Sequence, residues 1–168
     1  MRPGGKRILI LTSRPGGGHV SWAEAIRDAV HAVIEECNEL VENPSSEGMI
    51  VNDTSFHEAL LNLCGNAIMA AEWRRLRGSR YRLNFLRSLA PEAITTSAQQ
   101  HREVLFAILD GDWELASGFA AKHVRMTNSR IQRLSNQEFD AIFNPPGHVS
   151  KAASGKKKPE KRDAVSKG

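Results

Sequence analysis

At 168 residues the chain has room for one domain with a modest core. Apolar residues make up 40 % of it and charged residues 25 %, as in soluble globular proteins, and no run approaches the roughly 18 apolar residues of a membrane span. The formal charge of +4 gathers at one end: residues 145–168 hold seven Lys/Arg against two Asp/Glu, so the rest of the chain sums to −1 and has no electrostatic footprint for DNA.

The chain opens with a short apolar run, Lys6 to Thr12, expected to form a strand, and a Gly-rich loop, Arg14-Pro-Gly-Gly-Gly-His19. Ile8 to Leu11 is too short for the core of a signal peptide, and two cysteines, Cys37 and Cys64, suit a reducing cytoplasm. A first helix is expected from an N-cap at Ser21 to about Glu42, with Ala25, Ile26, Ala29, Val30, Val33, Ile34 and Cys37 at helical spacing. Asn43 to Gly48 breaks it. A second helix is expected from about Asn52 to Leu63, ending at Gly65-Asn66, with Phe56, Leu60 and Leu63 on one stripe.

A third runs from Ala67 through the Arg-rich stretch to Ser88, with a kink at Gly78-Ser79. A fourth covers Ala93 to Leu109, with Gly111 as a left-handed cap. Asp112 then N-caps a fifth helix from Trp113 to about Leu134. No strand pattern follows Asn52, so the fold class is all-α, an antiparallel helical bundle. The expected division is 1–20 as strand and Gly-rich loop, 21–140 as helical domain, and 141–168 as a disordered basic tail. That tail either solvates the chain end or touches phosphates without specificity.

One constellation of residues carries chemistry. Asp53 and His57 are four apart, which places both on one helix face. His101 precedes the turn at Asp110 by nine residues and His123 follows Asp112 by eleven, so in an antiparallel hairpin the two imidazoles stand nearly level. Three His and one Asp suit Zn²⁺ or Ni²⁺ and also accept Mn²⁺ or Fe²⁺. The residues by themselves leave open that these are unrelated surface or core histidines.

The segment Asp53-Thr-Ser-Phe-His57, then Cys64-Gly-Asn66, resembles the signature of the FCD domain, the C-terminal effector domain of FadR-type GntR transcription regulators. The stretch Gln100-His101-Arg-Glu-Val-Leu-Phe-Ala-Ile-Leu-Asp-Gly-Asp112, with Ala116 and His123, is similar to that family's later motif, over about residues 52–126. The resemblance implies that Asp53, His57, His101 and His123 hold a divalent metal, Zn, Ni or Mn, whose shell a small organic acid completes. It also marks Asn66 as a position near the effector pocket, with capping of the next helix as its plainer role. The Arg cluster, Arg77 among it, offers a further carboxylate contact, although a solvated charged face explains most of it. Where the family commonly has Glu before the third ligand this chain has Gln100, which leaves the ligands intact.

The resemblance further implies transcriptional regulation without enzymatic activity, as a homodimer or as a heterodimer with a full-length regulator. Only 52 residues precede Asp53, too few for a winged helix-turn-helix and an opening bundle helix, so a truncated regulator without direct operator-specific DNA binding is expected. Two other classes stay open: a metal-dependent hydrolase or lyase using the same ligands, and a nonfunctional remnant of a regulator gene. At the N-terminus, Lys6 to Ser13, Pro15 to His19 and Ala23 to Asp28 together resemble the opening of monogalactosyldiacylglycerol synthase-type glycosyltransferases. With no further βα repeat behind it, that unit cannot complete a nucleotide-sugar site.

Overall fold

The computed structural model describes residues 18–145, and within them every regular element is an α-helix: α1 Gly18–Glu42, α2 Ser46–Cys64, α3 Ala67–Arg77, α4 Arg80–Arg87, α5 Pro91–Leu109, α6 Trp113–Gln132 and α7 Asn136–Phe143. The all-α expectation holds. The expected strand and most of the Gly-rich loop lie outside the described residues, as does most of the basic tail.

The start of α1 lies three residues ahead of Ser21, which is therefore inside the helix. The buried side chains Val30, Val33, Ile34, Cys37 and Leu40 follow helical periodicity and form its inner stripe. Pro44 stops α1, because proline disfavours helical backbone in the residue before it. Ser45 then caps α2, its hydroxyl accepting the Gly48 N–H at 3.1 Å. So α2 starts six residues before the expected Asn52. The turn signals around Gly48 belong to the first turn of a helix, which glycine allows to approach α1. A Cβ at Gly48 would lie 2.9 Å from Leu40 Cδ2.

The expected single Arg-rich helix is two. Gly78 closes α3, and Ser79 starts α4 by accepting the Arg82 N–H through its hydroxyl. Pro91 occupies the first turn of α5, where a missing N–H costs nothing. Gly111, at φ +73°, makes the left-handed turn between α5 and α6, and the Asp112 carboxylate accepts the Leu115 N–H at 3.0 Å. Both features agree with the sequence reading. The eight-residue α7 was not anticipated and reaches three residues into the stretch assigned to the tail. Ser135 and Glu138 form a reciprocal capping box that starts it.

The bundle is built round α5, which packs along α1 on one side and α6 on the other, with α2 packed on α1 and α5. Met49, Phe56, Ile94, Ala98, Val104 and Leu105 meet the α1 stripe in this core. Against α2 lies α4, held from outside by α7 through stacked Phe85 and Phe143 and an Asn84 amide donating to the Ile142 carbonyl at 2.9 Å. Among the described residues no helix is long and apolar enough to cross a membrane.

Candidate metal and effector site

The inner stripe of α2 runs Met49, Asn52, Asp53, Phe56, and two of these four buried residues are polar. On α5 the buried stripe likewise includes Ser97, Gln100 and His101, and α6 buries His123 beside Ala116. Polar groups out of water require partners, so a core stripe interrupted this way marks either a hydrogen-bond network or a ligand site. Here the two coincide.

The helices bring the sequence-predicted constellation together. The rings of His101 and His123 have centroids 4.6 Å apart, as the hairpin count requires. His57 lies 6.3 Å from His101 by centroids, and its Nε2 is 3.7 Å from Asp53 Oδ1 one turn earlier. Phe56 stacks flat on His101 at 3.9 Å and sets the plane of that ring. Trp73 of α3 covers His57 at 4.4 Å.

Two side-chain amides orient the imidazoles: Asn52, which the sequence pattern did not single out, and Gln100, which it marked only as leaving the ligands intact. Asn52 Oδ1 accepts from His101 Nδ1 at 2.8 Å while its NH₂ donates to Cys37 Sγ at 3.2 Å. Gln100 Oε1 accepts from His123 Nδ1 at 2.9 Å. A carbonyl oxygen cannot donate, so each ring carries its proton on Nδ1 and turns a lone pair outward from Nε2. Nε2 of His101 is buried without a hydrogen-bond partner. Asn52 could have been found in the sequence, because it interrupts an apolar stripe at helical spacing.

Burial drives all three histidines toward the neutral form. His57 is lowered to about 4, chiefly by desolvation, with a smaller push from His123. His123 is also lowered to about 4, by burial and then by the charges of Arg130 and Arg82. His101, the most deeply buried, is lowered well below the usual imidazole range for the same leading reason. Neutral imidazole is the form that ligates a metal.

Asp53 has a cationic partner in hand. The Arg82 guanidinium contacts its Oδ2 and lies over the Trp73 ring at 4.3 Å. Among the described residues no three of the Asp, Glu, His and Cys side chains stand ready in ligating positions, and Asp53 turned onto Arg82 shows one reason. The donor set nonetheless fits a borderline divalent ion: one carboxylate, three neutral imidazoles, two of them with fixed tautomers, and a buried Nε2 lacking any partner.

A cavity of about 360 Å³ opens beside these groups, lined by Asp53, His57, His123 and Arg82 and, further along, by Ser97, Thr127, Asn128 and Arg130. Met49, Phe85, Leu86, Leu89, Val124 and Ile131 form its apolar wall. His101 does not line it directly. The two positions named for effector contact are engaged elsewhere. Asn66 is exposed and caps α3 by accepting the Met69 N–H at 3.1 Å, and Arg77 pairs with Glu58 at 2.6 Å. Arg82 is the residue of the Arg-rich stretch that faces the cavity, one helix later than Arg77.

The family model of the FCD domain matches residues 21–126, from the first helix to three residues past His123. No curated protein and no solved structure matches the chain. The glycosyltransferase resemblance near the N-terminus receives no support from the match.

Proposed function

The chain belongs to the FCD family, the effector-binding domains of FadR/GntR-type regulators, and from this premise we propose that it senses a small carboxylate through a divalent metal held by Asp53, His57, His101 and His123. One observation carries the reading. Three imidazoles converge from three helices as neutral bases, two with tautomers set by amide oxygens, beside a cavity that also holds a carboxylate and two guanidiniums.

The residues divide the work. Asn52 and Gln100 hold His101 and His123 with the proton on Nδ1, so neither ring has to change tautomer to become a ligand. Phe56 and Trp73 shield the imidazoles from water, which keeps them unprotonated near neutral pH. Arg82 balances the Asp53 charge and is close enough to the cavity to transfer that service to an incoming carboxylate. A bound divalent ion would supply most of the positive charge that recognises the acid. Zinc and nickel suit the three imidazoles best, with manganese the next fit.

Sensing is favoured over hydrolysis or elimination by the cavity itself. Asp53 is the one carboxylate in its described lining, so that wall offers no second carboxylate for water activation once the imidazoles serve as ligands. We place the chain in the cytoplasm, with output through association with a second copy or another regulator of the family.

The test is metal analysis followed by thermal shift. The purified chain is expected to retain about one zinc or nickel per molecule, and acetate or a larger carboxylate to raise its melting temperature only when the metal is present. The Asp53→Asn, His123→Gln double variant should lose both effects while staying helical by circular dichroism. Unchanged metal content in that folded variant would overturn the assignment.

A further inference from the structure

The cavity carries a second cation besides Arg82, and it is not among the four candidate ligands. Arg130 lies on α6 seven residues after His123, about 10 Å further along the axis and on the same face. Its Nη1 donates to Ser97 Oγ at 2.8 Å, and Ser97 stands on α5 one turn before His101. Nothing else neutralises it: among the described residues, Arg75, Arg77, Arg82 and Lys122 have carboxylate partners, and Arg130 has none.

A partly buried guanidinium without a counter-ion bears a desolvation cost with no coulombic return. That cost appears in its own proton affinity, which burial lowers. Helical side chains lean toward the N-terminus of their helix, so Arg130 reaches back in the direction of His123. The same cavity has apolar lining, with Leu86, Leu89 and Val124 among its members, beside the polar Thr127 and Asn128.

We propose that Arg130 is the anchor for a second anionic group, and that the effector is therefore a short aliphatic dicarboxylate rather than a simple monocarboxylic acid. The inference rests on the carboxylate-sensing reading and deepens it. One carboxylate faces the Asp53, His57 and His123 end, the methylene chain lies on the apolar wall, and the other carboxylate takes the free edge of Arg130. Ser97 holds the guanidinium in place before the ligand arrives, which reduces the ordering cost of binding. The 360 Å³ volume is near the small end for ligand pockets, in keeping with such an acid.

Isothermal titration of the full chain with succinate, glutarate and adipate, against butyrate and hexanoate, tests this with and without zinc. The best dicarboxylate should bind about tenfold tighter than the monocarboxylate of equal length, as expected for one added charge-assisted contact. In Arg130→Gln that ratio should fall to near one, with circular dichroism showing that the variant is folded. Arg130→Lys should keep part of the ratio, as a point charge without the fork. A ratio near one in the unmodified chain, or one that survives Arg130→Gln, overturns the proposal. If zinc changes nothing yet the ratio still depends on Arg130, the metal reading fails and this inference stands. If no carboxylate binds at all, both fail.

Discussion

Gln100 shows how much a single side chain decides at this site. By sequence it is a departure from the Glu common in the family, and it leaves the four ligands untouched. In the fold its carbonyl oxygen is the partner of His123 Nδ1, so it governs how that ligand is presented. An amide fixes the same tautomer as a carboxylate would, but through a weaker, uncharged hydrogen bond that adds no negative charge to increase the ring's basicity. Replacing it with leucine removes the acceptor and leaves the ring free to rotate. Gln100→Leu is expected to weaken zinc binding by roughly 10–100-fold, read by competition with a chelating dye. A Gln100→Glu variant should bind zinc at least as well as the unmodified chain. Equal affinity in all three proteins would show that the amide is mere packing. Asn52 plays the same part for His101 from α2, and its other end ties the site to Cys37 on α1.

At the scale of elements, the α5–α6 hairpin and the short α7 behave in opposite ways. The hairpin is determined locally: Gly111 supplies the left-handed turn, Asp112 caps the following helix, and the residue counts on either side level His101 with His123. Each of these could be read from the sequence because each depends on a few adjacent residues. The eight residues of α7 are too few to be stable alone, so its existence depends on docking against α4. Its capping box nonetheless stood in the sequence as Ser135 and Glu138. Ser135→Ala should cost about 1 kcal/mol of local stability. The expected readout is faster amide exchange across residues 136–143 with zinc affinity unchanged, since no ligand lies on α7. Slowed or unaltered exchange there would contradict this account of what starts the helix.

At the scale of the whole molecule, the site and the core are one object. Cys37 is fully buried in the stripe that α1 presents to α2 and α5, and burial pushes its thiol up to about 11. Cys64 is exposed at the end of α2. In the native chain one thiol should therefore react quickly with iodoacetamide, while the second waits for the bundle to open. Because Cys37 reaches His101 through Asn52, zinc should slow the second reaction in proportion to the stability that binding adds. Equal labelling of both cysteines, or a rate for Cys37 indifferent to zinc in a chain that binds it, would show that core and site are uncoupled.

Helical periodicity, the caps at Gly111 and Asp112, and the spacing of Asp53, His57, His101 and His123 are properties of short stretches of chain. The all-α class and the candidate ligands were accordingly legible before any coordinates. Two things were decided only by packing: that Arg82 and not Arg77 faces the cavity, and that Asn52 and Gln100 meet histidines 49 and 23 residues away. An arginine reads alike in sequence whether it points to solvent, to Glu58 or to Asp53. Its role follows from the register between α3, α4 and α2, which side-chain packing across helices sets and no local pattern encodes.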